Sequence, residues 1–176
     1  YYDEAAAENG GWVEYNVVHG AENRIIVEFK DLPDAMWQAA VAIEDHRFFQ
    51  HHGVDWYRTL GAVKTFLTGG DTFGASTITQ QFVRNTILSE EMSDITVKRK
   101  LREMYISLKL EEQYEKDEIL LMYLNTINYG SGAYGIEAAA ERYFSKHAKD
   151  LPLAEAATLV GVPQSPTYNN PIDNPE

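Results

Sequence analysis

The residues with the densest chemistry lie in one run, Glu44-Asp45-His46-Arg47-Phe48-Phe49-Gln50-His51-His52-Gly53-Val54-Asp55. Two adjacent carboxylates are followed there by two aromatics, a histidine pair and a glycine. General acid or base work near neutral pH needs a carboxyl group of raised pKa. Glu44 meets three conditions for one: it closes an apolar helical segment at the negative end of the helix dipole, Asp45 is a like-charged neighbour, and Phe48 and Phe49 follow closely. The plainer alternative is an acidic last turn facing water. A second cluster is Gly74-Ala-Ser-Thr-Ile-Thr-Gln-Gln-Phe-Val-Arg-Asn85. Its hydroxyls and amides at a helix start either cap the helix through Ser76 or Thr77, or leave free backbone N–H groups to receive phosphate or sugar oxygens. The third cluster is Lys98, Arg99, Lys100 and Arg102, with Glu103 one turn beyond Arg99. His51, His52 and Asp55 lack a fourth ligand for a structural metal. No metal site is expected, and His51 reads as a brace for the loop carrying Glu44.

The elements that must hold these groups are mostly helical. From Asp31, a possible N-cap, through Pro33, the residues Met36, Ala39, Ala40 and Ile43 recur at helical spacing and end near Glu44. Asp55 caps a helix over 56–67, with Leu60, Val63 and Leu67 in one stripe, and Gly69-Gly70 ends it. Ile78 and Phe82 share a face of the next helix. Residues 86–97 read as a mobile, partly greasy loop, and Asp94 as the cap of the longest helix, at about 95–114. On a wheel of ~100° per residue, Val97, Leu101, Met104 and Leu108 form a predicted buried stripe, while Arg99 and Glu103 fall opposite. In open water such a pair adds only a few tenths of a kcal/mol. Ile106 and Leu110 continue its side, however, which favours the wall of a cleft. Helices are predicted at 116–125, 133–144 and 152–160, and the prolines at 163, 166 and 171 predict an extended tail. Before all of these, 12–18 and 24–29 read as a small β-hairpin.

Bulk properties narrow the class. The 176 residues hold one full core, and 44% hydrophobic content excludes wholesale disorder. The absence of cysteine removes disulfides and thiol nucleophiles. A net charge of -12 argues against a nucleic-acid face. An anionic partner must therefore meet the local basic cluster. No apolar run is long enough to span a bilayer, and the opening Tyr1-Tyr-Asp-Glu has no features of a signal peptide, so the chain reads as a piece of something longer.

Four stretches, taken in order, resemble one family: Glu44-Asp45…Phe48…His51…Gly53; Gly74…Ser76-Thr77-Ile78-Thr79-Gln80-Gln81; Arg99-Lys100…Glu103; and Lys116…Ile119-Leu120…Tyr123-Leu124-Asn125. The pattern is similar to the family-51 peptidoglycan glycosyltransferase domain of bifunctional penicillin-binding proteins, which also occurs as a stand-alone enzyme. Ala138-Ala-Ala-Glu-Arg-Tyr-Phe144 and the run from Leu151 to Pro166 look like its closing segment. The resemblance implies a mainly α, two-lobed, lysozyme-like domain over residues 12–171, after a lead-in (1–11) and before a tail (172–176). It implies polymerisation of lipid II onto a nascent glycan chain at the outer face of the bacterial cytoplasmic membrane, with inversion and loss of polyprenyl pyrophosphate. Glu44 is then the general base on the acceptor 4-hydroxyl, and Glu103 the second catalytic carboxylate, orienting the acceptor or assisting the pyrophosphate's departure. Arg84, Arg99 and Lys100 hold the pyrophosphate, while Ser76, Thr77, Gln81 and Asn85 line the site and Asp45, Phe48 and His51 complete the substrate-binding set. Relatives often carry lysine where this chain has Arg84, so a planar fork replaces a point charge. Moenomycin-type inhibitors are implied ligands and the membrane surface an implied partner. The fragment is expected to be a monomer without a tightly bound cofactor, with a divalent cation such as Mg2+ or Mn2+ as an accessory. With no Ser-x-x-Lys sequence in the chain, penicillin binding is not expected.

Two other functions fit parts of the pattern. A lysozyme-like hydrolase would use the same two acids with water as acceptor, but would not need the basic cluster. A noncatalytic cell-wall module would tolerate Glu44→Gln.

Overall fold

The computed structural model describes residues 25–69, 74–172 and 174. Among them are seven α-helices and no strand: α1 (Asp34–Glu44), α2 (Trp56–Leu67), α3 (Ile78–Asn85), α4 (Val97–Glu111), α5 (Lys116–Thr126), α6 (Ile136–Phe144) and α7 (Leu153–Gly161). The mainly helical class expected from the sequence is what the chain adopts. The first strand of the expected hairpin lies outside the described residues. Residues 25–28 are not strand. Val27 instead pairs with a side-chain amide, its N–H donating to Asn125 Oδ1 and its carbonyl accepting from Asn125 Nδ2, both at 3.0 Å.

Helix α5 is the centre. Ile119, Leu120, Tyr123, Leu124 and Asn125 are all buried, as expected of a helix apolar on most sides. Helix α3 packs across both α4 and α5, α1 lies along α7, and α6 touches α5 and α7. Met36 and Ala40 carry α1 into this core as the spacing predicts, but Ile43 is exposed. The start of α1 also differs. Asp31 sits in a 3-10 turn, Phe29–Asp31, and Pro33 occupies the N-cap position.

Two helices turn the opposite way from the simplest expectation. On α4, Val97 and Leu101 are 77% and 60% exposed, while Glu103 and Ser107 are fully buried. Periodicity finds the two sides of a helix without saying which faces inward, and here the polar side faces in because its groups find partners there. The cap of α4 is Thr96, whose hydroxyl accepts from Arg99 N at 3.2 Å, rather than Asp94. On α2, the stripe of Leu60, Val63 and Leu67 is exposed as well. The segment before α4 contains a 3-10 turn, Ser89–Glu91, and is anchored by buried Leu88.

The tail is not extended. It folds through a 3-10 turn, Val162–Gln164, held by Ser165 N donating to Val162 O at 3.0 Å, and Asn169 N then donates to Ser165 O at 2.8 Å. Its prolines set turns that bring Pro163 and Gln164 beside Glu44. No described helix is long and apolar enough to cross a membrane.

Candidate active-site cleft

Asp45 fastens the site together. It is completely buried, and three donors converge on it: His51 Nε2 at 2.9 Å, Ile78 N at 3.1 Å and Arg58 Nη1 at 3.3 Å. The loop after α1, the start of α2 and the start of α3 thus meet on one carboxylate. Thr77 adds a second tie. Its hydroxyl donates to Gly53 O at 2.6 Å and accepts from Gln80 N at 3.1 Å, and Gln80 returns the bond to Thr77 N at 3.0 Å. This reciprocal cap, with Asp45 on Ile78 N, occupies the Thr77, Ile78 and Gln80 amides, which would otherwise be open to phosphate. The α3 N-terminus therefore reads as a joint. Gly53 makes the close approach possible. Its φ is +75°, and a Cβ there would lie 2.5 Å from Ser107 O of α4, a position that only glycine fits.

On the other side of this joint is a cleft of about 440 Å³, lined by Ile43, Glu44, Arg58, Gly74, Ser76, Gln81, Arg84, Pro163 and Gln164. Glu44 Oε2 accepts from Gln81 Nε2 at 2.7 Å, and Oε1 has no hydrogen-bond partner. Burial raises the Glu44 pKa. The Gln81 bond and the charges of Arg84 and Arg58 pull it back, and Asp45 raises it slightly. The direction matches the sequence argument but the main cause is burial, and Asp45 contributes least. A raised carboxyl with one free oxygen, facing fixed cations, is fit to accept a proton where negative charge is leaving.

Glu103 is built differently. It too is completely buried, but both oxygens are taken. Arg99 Nη1 donates to Oε2 at 2.7 Å and Lys100 Nζ donates to Oε1. Lys100 also reaches Ser76 Oγ on the cleft wall at 3.1 Å, and burial lowers its pKa against the pull of Glu103. Arg99 Nε is bound to Asp94 O at 2.7 Å. Behind Asp45, Lys116 lies 4.3 Å over the Phe48 ring and 2.7 Å from Glu111 Oε2.

Of the residues singled out from sequence, Glu44, Ser76, Gln81 and Arg84 line one cleft. Asn85 lines an adjoining hollow with Gln81, Arg84, Asn128 and Tyr134. Lys100 meets the cleft through Ser76. Asp45, Phe48, His51, Thr77 and Glu103 lie buried behind the wall and touch the frame, and Arg99 binds Glu103 and Asp94 through Nη1 and Nε. Pro163, Gln164 and Arg58 were missed. The first two carry no chemical signal in sequence, whereas Arg58 stands one turn after the Asp55 cap and was legible as a charge near the motif. Among the described residues, Glu137, Glu141 and His147 alone bring three potential metal-ligand atoms within 4.8 Å of one another. Glu137 is already engaged there, by His147 Nδ1 at 2.6 Å and Ala148 N at 2.8 Å.

Residues 13–176 match the family model described as transglycosylase. The chain is 50% identical over 153 residues to penicillin-binding protein 1A of Clostridium tetani (strain Massachusetts / E88), covering 83% of this chain and 19% of that protein. It is 48% identical over 159 residues to penicillin-binding protein 1A/1B of Bacillus subtilis (strain 168), covering 89% and 17%. Against penicillin-binding protein 2D of the same organism it is 50% identical over 154 residues, covering 87% and 22%. The chain thus spans about a fifth of the length of the curated relatives it matches.

Proposed function

The chain belongs to the transglycosylase family, and from that premise we propose that it is a peptidoglycan glycosyltransferase that polymerises lipid II. The observation that carries the reading is the shared cleft, which Glu44, with one buried oxygen left unpartnered, lines together with Arg84 and Arg58, and which Lys100 meets through Ser76. The acceptor's 4-hydroxyl oxygen attacks the anomeric carbon of the bound donor and gives its proton to Glu44. The anomeric C–O bond breaks, its electron pair leaves on the polyprenyl pyrophosphate, and a β-1,4 link forms with inversion. Proton acceptance by a positioned base is typically worth about 10²–10⁴ in rate. The leaving group is already a stable anion, so cations serve it better than an acid, and preorganised charge is worth several kcal/mol.

In this reading Arg84 and Lys100 receive the pyrophosphate. Glu103 acts through Arg99 and Lys100, fixing their positions, and Ser76, Gln81 and Asn85 orient sugar or phosphate oxygens. An accessory divalent cation would sit with the pyrophosphate. The outer surfaces of α2 and of α4 with the segment before it support work at a membrane surface, which in this reading is the outer face of the cytoplasmic membrane. Trp56, Leu60, Val63, Ile95, Leu101 and Tyr105 are exposed there, interspersed with Lys98 and Arg102, the mix that interfacial surfaces use. Between the two helices an apolar hollow of about 400 Å³ includes Lys100 in its lining, which suits a lipid chain headed by phosphate. Moenomycin-type phosphoglycolipids are expected to compete for these sites.

Incubation with labelled lipid II tests the reading. Polymer of increasing length supports it, and shortening of preformed glycan by the same protein would transfer the site to the hydrolase class.

A further inference from the structure

The motif resemblance assigns no part to Arg58, yet its side chain binds both Glu44 and Asp45, the two acids that open the motif. It sits in the first turn of α2, where its own N–H donates to the Asp55 cap at 3.1 Å. Its Nη1 donates to Glu44 O at 3.4 Å and to Asp45 Oδ1 at 3.3 Å. Glu44 is the last residue of α1, so its carbonyl is one of the terminal acceptors that no helical N–H satisfies, at the negative end of the helix dipole. A guanidinium there caps the helix and opposes that field. The side chain is only 19% exposed, but it borders the cleft beside Glu44.

We propose that Arg58 is a positioning residue for the base: its guanidinium ties the end of α1 and Asp45 to the first turn of α2 and so holds Glu44 in place at the cleft. The proposal rests on the glycosyltransferase reading only for its rate measurement. Glu44 is faced by Arg58 from α2, Arg84 and Gln81 from α3, Asp45 from its own loop, Tyr123 from α5 and Tyr129 from the turn beyond it. Only the two arginines oppose burial with full positive charge. Arg84 is also proposed to meet the pyrophosphate, which leaves Arg58 as the cation whose charge stays with the base throughout turnover.

Arg58→Gln and Arg58→Lys test this by two readouts. The first is a carbon-13 NMR titration of the Glu44 carboxyl, assigned by its loss in Glu44→Gln. The second is the pH dependence of lipid II polymerisation. In Arg58→Gln, which loses both the charge and the tie, the Glu44 midpoint moves upward, the acid limb of the rate profile moves with it, and the plateau at higher pH falls as well. In Arg58→Lys the positive charge remains but one ammonium cannot hold both acceptors, so the midpoint stays near that of the wild type while turnover falls at every pH. A Glu44 midpoint unmoved by Arg58→Gln overturns the proposal. So does an upward shift in Arg58→Lys, and should the glutamine variant fail to fold, a lysine variant with unchanged turnover overturns it too. Wild-type protein that makes no polymer would count against the glycosyltransferase reading and leave the titration to judge Arg58 alone.

Discussion

Glu44 and Glu103 are both withdrawn from solvent within one small helical protein, but their surroundings differ in kind. Around Glu44 the protein supplies one neutral hydrogen bond, one free oxygen and two cations at the cleft edge. Around Glu103 it supplies two direct cations and leaves no oxygen free. The first arrangement holds a carboxyl that can take up and release a proton. The second spends a carboxyl to hold two cations still. Two acids in one site therefore need not form an acid–base pair, and the partner count separates their roles where residue type does not.

The largest effect that sharpens this contrast is expected at Glu44. Glu44→Gln should lower polymerisation by about 10²–10⁴ without loss of stability. The raised pKa means that the folded chain holds this proton more tightly than the unfolded chain. Its stabilising contribution is therefore complete below the ordinary carboxylate value and is lost as pH rises through the elevated one. The glutamine variant should accordingly melt at or above the wild-type temperature at neutral pH, as read by scanning calorimetry.

Glu103→Gln should do the reverse to stability. It strands Arg99 and Lys100, and unfolding in urea should show a loss of about 3 kcal/mol, the low end for breaking a buried pair because Lys100 keeps some contact with water. A Glu103 variant as stable as the wild type would erase the distinction. Gly53→Ala should strike the joint between the two regions, since a Cβ would press on Ser107 O. The left-handed conformation alone costs about 1–3 kcal/mol, and the same unfolding measurement reads it. The smallest effect belongs to Tyr123, whose buried hydroxyl has no partner. Tyr123→Phe should leave stability unchanged or improve it by about 1 kcal/mol.

Much of this was legible in the sequence, because the motif residues are local. The 44–55 run, the Thr77 cap and the helices at α1, α3 and α5 follow from spacing and capping chemistry. What failed depended on tertiary context. The inward side of α4 was misjudged because apolar Val97 and Leu101 outvoted Glu103 on the wheel, whereas burial followed the side with partners. The tail was misread because prolines that break helices also build turns, and only the fold brings Pro163 and Gln164 back to Glu44. Asp45 was placed in the substrate-binding set, and its part in the frame was not legible, since its three donors come from positions 51, 58 and 78.

The most direct test is a comparison of Glu44→Gln and Glu103→Gln for turnover and half-saturation with labelled lipid II. The account predicts that Glu44→Gln loses turnover at unchanged half-saturation, while Glu103→Gln weakens half-saturation as its two cations lose their anchor. Matching losses of turnover in both, with half-saturation untouched, would contradict it.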